Sequence, residues 1–95
     1  MANCWLLTYD FLEDGMIRVF SPGASKEDQH ELRLCVLEGA GDKFRLFDGD
    51  GNIYFEGIFL GDTMAQEAFA PLDHCQELYG CVEIQYLRGD EWETL

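Results

Sequence analysis

Two histidines, four cysteines, two serines and nineteen carboxylates are among the side chains in this chain able to move a proton, attack a carbonyl or hold a metal. Zinc requires four Cys or His ligands in paired short spacings. Cys4, Cys35, Cys75 and Cys81 contain no Cys-x-x-Cys pair, and the one assembly worth naming, His30 with His74, Cys75 and Cys81, has His74 and Cys75 as sequence neighbours whose side chains diverge. Core thiols and surface imidazoles are the simpler reading. Asp48-Gly49-Asp50-Gly51-Asn52 places oxygen ligands as a calcium loop does at its first, third and fifth positions. The pattern then fails, because Ile53 stands where the sharp turn needs Gly and Phe59 where the bidentate Glu belongs.

Nucleophilic chemistry finds no better footing. Ser21 and Ser25 sit in a polar segment without a strand-turn-helix elbow, and no Cys has a His at a local spacing that would activate it. Gly39-Ala40-Gly41 is followed by Asp42, which repels the phosphates that a glycine-rich loop would cradle. Arg88-Gly89-Asp90 spells an adhesion tripeptide but reads as an ordinary turn. The expectation is a protein without metal, cofactor or catalytic residues, whose function is binding.

Charge is the signal that points somewhere. Nineteen acids against six bases give −13, and residues 48–95 hold eleven of the acids with a single base. No Lys or Arg occurs between Leu46 and Leu87. Solubility is served by a net charge of roughly 2 to 8 in a small domain, which this chain exceeds. Such a field repels nucleic acid and anionic membranes and steers cationic partners into contact. Alternate residues of a strand repeat at about 6.6 Å, so regularly placed carboxylates can imitate a track of phosphates. A protein that grips nucleic acid with Lys and Arg gains affinity from neutralising such charges.

The elements that position these groups follow from patterning. With 95 residues, 47% of them hydrophobic, the chain makes one domain, residues 1–95, with its own core. Lys43 to Phe47 and Ile53 to Leu60 flank the Asp-Gly turn as a hairpin apolar on both faces, as near the middle of a sheet. Trp5, Leu7, Tyr9 and Phe11 alternate in a first strand, Glu13-Asp14-Gly15 turns, and Met16 to Phe20 returns. Ser25 with Asp28 can cap a short helix. Glu31 to Glu38 fits a strand or a helical stripe, and the Gly39 to Asp42 turn favours a strand. Thr63 with Gln66 has capping-box spacing, and Pro71 to Gly80 reads as a second helical turn or an irregular loop. Cys81 to Leu87 is a strand, paired by Glu91 to Leu95 with Trp92 as anchor. The sum is α+β: a mainly antiparallel, meandering sheet of about seven strands with short helical segments between residues 62 and 79. Met1 to Asp10 lacks the basic and apolar regions of an export signal, which implies a cytoplasmic protein with free thiols.

Phe69-x-Pro71-Leu72-Asp73, Gly80-Cys81-Val82-Glu83-Ile84-Gln85-Tyr86-Leu87 and Trp92-Glu93-Thr94-Leu95 resemble a group of small uncharacterised bacterial proteins common on phages and other mobile elements. Phe47-Asp48-x-Asp50-Gly51-x-x-Tyr54-x-Glu56-Gly57 is similar to the upstream hairpin of the same group. The resemblance carries no catalytic motif and implies a setting, the cytoplasm of a bacterial host, where small acidic proteins often look like anti-CRISPR or anti-restriction inhibitors. The expected partner is then a CRISPR effector or restriction enzyme, met through its basic nucleic-acid-binding groove, with neither nucleic acid nor membrane bound directly. The expected binding residues are Asp48, Asp50, Glu56, Asp62, Glu67, Asp73, Glu77 and Glu83, with Asp90, Glu91 and Glu93 on the last hairpin and Tyr54 and Tyr79 as anchors. The rival expectation is a module that recognises a protein through its apolar hairpins, its acids serving solubility.

Overall fold

The computed structural model describes residues 3–95. Residues 1 and 2, part of the stretch read for an export signal, lie outside that range. Three hairpins build one sheet: β1 (Cys4–Asp10) with β2 (Gly15–Phe20), β3 (Asp42–Phe47) with β4 (Ile53–Leu60), and β5 (Glu83–Arg88) with β6 (Glu91–Thr94). All pairs are antiparallel and the order across the sheet is β2-β1-β4-β3-β5-β6. The fold is therefore α+β. The central hairpin, β3 and β4, occupies the middle of the sheet as expected, but only β4 is buried on both faces, over Gly57, Ile58 and Phe59; β3 is buried on one face and turns Lys43 and Arg45 to the other.

The hairpins are linked by helical crossovers on opposite faces. α1 (Lys26–Glu38) follows β2, and a 3-10 turn (Gln66–Phe69) running into α2 (Ala70–Tyr79) follows β4. Their lengths carry the chain past a strand already in place, so sheet order departs from chain order.

The strand expected over Glu31 to Glu38 is instead the second half of α1, which leaves six strands rather than seven. Local signals decide it. Ser25 Oγ accepts from the Asp28 N–H at 3.0 Å and the Ser25 N–H donates to Asp28 Oδ2 at 3.4 Å, a complete capping box. Gly39 closes the helix in the left-handed conformation, φ 70°, with its N–H and that of Ala40 on the Cys35 carbonyl. Only Leu32 of the apparent alternation is buried; Leu34, Val36 and Leu37 remain exposed. Ser25→Ala is expected to lower stability by about 1 kcal/mol, measured by urea unfolding, with an unchanged midpoint counting against the box.

The larger core lies on the α2 face of the sheet. Trp5, Leu7, Phe44, Leu46, Phe55, Phe59, Ile84 and Tyr86 pack there against Ala68, Cys75 and Cys81. The Tyr86 hydroxyl donates to the Ala68 carbonyl at 2.7 Å, which ties the 3-10 turn to the sheet. The smaller core on the other face joins Cys4 and Leu6 to Leu32 of α1. A bulge between Leu7 and Tyr9 breaks the alternation read in β1: Tyr9 pairs with Glu56, so it leaves the face of Trp5 and Leu7, and Phe11 lies beyond the strand. Thr63 does not cap a helix either. Its hydroxyl accepts from Arg88 Nη1 at 2.7 Å, and the 3-10 turn begins after Ala65 without a side-chain cap.

A candidate acidic interaction surface

Antiparallel pairing fixes which acids share a face. Phe44, Leu46, Ile84 and Tyr86 point to the α2 side, so Lys43, Arg45, Glu83 and Gln85, one residue out of phase, point to the α1 side. Arg18 lines a cleft with Arg33 of α1, and Lys26 is the first residue of that helix. Five of the six cations therefore belong to the α1 side. Arg88 alone faces α2, and it is engaged: its Nε lies 3.2 Å from Glu93 Oε2 while Nη1 holds Thr63. That is the single salt bridge among the described residues.

The layer formed by the 3-10 turn and α2 runs from the Asp62 end of the sheet to the Asp48 end. It carries Glu67, Asp73 and Glu77, all exposed, with no cation. Asp73 and Glu77 are four residues apart, hence on one face and about 6 Å apart along the axis. Asp73, in the first turn, suits the helix dipole; Glu77 does not. Like charges at that spacing cost about 0.2 to 0.5 kcal/mol, and Glu77 stands in the last turn, where the helix dipole favours a cation, yet no basic residue occurs there. Glu91 and Glu93 pair with Arg88 and Tyr86, which puts them on the α2 side of the edge strand β6. Tyr79 ends the layer, half exposed, with its ring 4.8 Å from that of Phe55.

The remaining expected residues fall elsewhere or do structural work. Asp48 folds back on its loop: Oδ1 accepts from the N–H of Asp50 (2.9 Å) and Asn52 (2.8 Å), and Oδ2 from Asn52 Nδ2. The Asn52 N–H above all, with the other donors, holds its carboxyl below the ordinary range. The Asp-Gly motif builds this turn. Tyr54 stands beside Asp48, its phenol raised first by desolvation and then by that carboxylate. Asp62 Oδ1 accepts from the Met64 N–H at 2.9 Å in a comparable turn. Glu56 and Glu83 project to the α1 side, Glu56 opposite Arg45 and Glu83 accepting from Thr94 Oγ1 (2.6 Å) and Gln85 Nε2 (2.8 Å). Asp50 is exposed at the hairpin tip and Asp90 at the β5–β6 turn. The structure thus gathers Glu67, Asp73, Glu77, Glu91, Glu93 and Tyr79 on the α2 side, and leaves Glu56 and Glu83 off it.

The sequence reading missed the β1–β2 turn as a neighbour of the Asp48 loop. The Phe11 N–H donates to the Tyr54 carbonyl at 2.9 Å, bringing Asp10, Glu13 and Asp14 to the same end. Their only signal was turn chemistry; proximity follows from β1 pairing with β4, which the sequence does not announce.

No group of three or more His, Cys, Asp or Glu side chains among the described residues is arranged to hold a metal. Cys75 and Cys81 lie together, but the His74 ring packs on Trp5, at 5.2 Å between centroids, and His30 belongs to α1 across the sheet. All four cysteines are free thiols. No described helix is long and apolar enough to cross a membrane. On the α1 side a cleft of about 200 Å³ is lined by Met16, Ile17, Arg18, Arg33 and Leu37.

One consequence concerns the whole molecule. With nineteen carboxylates and one ion pair among the described residues, salt has much repulsion to screen and little attraction to weaken. The melting temperature is expected to rise by several degrees between about 0.01 M and 0.5 M sodium chloride; a flat or falling profile would contradict this. Neither a known protein family, nor a curated protein, nor a solved structure matches the chain.

Proposed function

We propose that the chain is a non-enzymatic inhibitor that presents the acidic α2 face to the basic nucleic-acid-binding groove of a defence complex, of the CRISPR-effector or restriction-enzyme kind. The observation that carries the reading is the uneven charge across the sheet: the α2 face sets Glu67, Asp73, Glu77, Glu91 and Glu93 against Arg88 alone, while the α1 side interleaves its acids with the other five cations. Solubility alone does not require that unevenness, nor Glu77 in the last turn of α2, where it opposes the helix dipole and repels Asp73. The 3-10 turn and α2, packed on the sheet, and the edge strand β6 present the acids already folded, so less of the Coulomb gain is lost to ordering on binding. The mobile-element setting rests on the resemblance of the C-terminal strands and hairpin.

The experiment is capture of tagged protein's partners from bacterial lysates containing CRISPR effector or restriction complexes, at low and high salt, with excess duplex DNA as competitor. Recovery of a nucleic-acid-binding complex at low salt, released by DNA, is the expected result. A second reading has its own observation: Met16 and Leu37 are each more than four-fifths exposed beside the α1 cleft. Recognition through that apolar surface predicts capture indifferent to salt and DNA.

A further inference from the structure

Of the four cysteines, two are brought together by the way α2 ends. Gly80, at φ 76°, adopts the left-handed conformation that closes the helix, and its N–H donates to the Gln76 carbonyl at 3.1 Å. The chain reverses there, so that the Cys81 N–H reaches back to the Cys75 carbonyl at 3.4 Å. Such caps are commonly sealed by an apolar contact between the residue after the turn and one in the last helical turn. Here both members of that contact are cysteines. Both side chains are fully buried in the main core, near enough that each shifts the other's titration, Cys75 up and Cys81 down.

We propose that Cys75 and Cys81 form a dithiol modification site, which a low-molecular-weight disulfide oxidises to an intramolecular disulfide across the α2 cap. The Cys81 thiolate attacks one sulfur of the small disulfide, forming a mixed disulfide and releasing the first small thiolate. The Cys75 sulfur, giving up its proton, then attacks the Cys81 sulfur and displaces the second. The protein loses two electrons and two protons; the small disulfide is reduced to two thiols. The interaction of the two thiols raises Cys75 and lowers Cys81, and Cys81 lies at the turn rather than within the helix, so Cys81 attacks first. Access requires the cap to open: Gln76, Glu77, Leu78, Tyr79, Gly80 and Val82 around the two buried thiols are all exposed. Disulfide geometry needs Cα atoms within about 7 Å, and the Cys81 N–H on the Cys75 carbonyl at 3.4 Å holds the two backbones near that reach. Cys35, partly exposed on α1 across the sheet, and buried Cys4 beside it serve as internal references.

The test is treatment of the folded full chain with oxidised glutathione, then alkylation of remaining thiols and non-reducing peptide mapping by mass spectrometry. The expected product has lost two hydrogens, with Cys75 joined to Cys81 and with Cys4 and Cys35 outside any internal bond. In the Cys75→Ser variant the internal bond is absent and glutathione is retained on Cys81; Cys75→Ala gives the same readout should the serine disturb the core. Cys75 and Cys81 remaining reduced under native conditions, or cross-linked instead to Cys4 or Cys35, overturns the proposal.

Discussion

Gly57→Ala is expected to lower stability by about 3 kcal/mol, the largest single effect of so small a change in this fold. Gly57 sits in β4 at the centre of the sheet, opposite Phe44 on one side and Leu7 on the other. A Cβ there would run into the Phe44 ring and come within 2.5 Å of the Leu6 carbonyl oxygen. The ring can turn only by disturbing a fully buried core, and the carbonyl belongs to the strand ladder, so β1 and β4 must part. A domain of this size has roughly 5 to 15 kcal/mol in all, so the loss is a large fraction. Gly15→Ala is the control: nothing lies within 4 Å of its added Cβ, and its effect should stay within about 0.5 kcal/mol. Urea unfolding of both variants checks the pair; equal midpoints would mean that the centre of the sheet yields more easily than its packing implies.

Reversing three charges, Glu67→Lys, Asp73→Lys and Glu77→Lys, is expected to weaken partner binding at least tenfold, about 1.4 kcal/mol or more. All three are exposed on the acidic layer, so the change alters the field and not the core. The fold should tolerate it, since a lysine in the last turn of α2 suits the helix dipole better than Glu77 does and offsets the loss of Asp73 from the first turn. A matched triple reversal on α1, Glu27→Lys, Glu31→Lys and Glu38→Lys, changes net charge equally but on the other side of the sheet. Affinity measured for both triples separates a specific face from bulk charge. Equal losses would mean that only the net charge matters; no loss in either would leave the apolar α1 cleft as the binding surface.

Much of the fold is legible in the sequence because its signals are local. The Asp-Gly turn, the runs of Phe, Ile and Tyr around it and the Trp92 hairpin each specify a strand pair without reference to the rest. Glu31 to Glu38 misleads because Leu32, Leu34 and Val36 alternate by coincidence while the deciding groups, Ser25, Asp28 and Gly39, lie outside the segment. Tyr9 misleads because a bulge shifts its register by one, which no composition reveals. The site was legible as a charge but not as a face. Asp48 and Asp62 are spent on their own turns, and Glu56 and Glu83 point away, because turn hydrogen bonds and strand phase, not sequence density, decide where a carboxylate points.

The most direct measurement is fluorescence anisotropy of a labelled DNA duplex bound to the captured complex, titrated with this protein across a series of salt concentrations. Mimicry predicts that the protein displaces the duplex competitively, with an affinity falling at least tenfold between about 50 and 200 mM salt. Protein and duplex bound together, with an affinity unchanged by salt, would contradict the account.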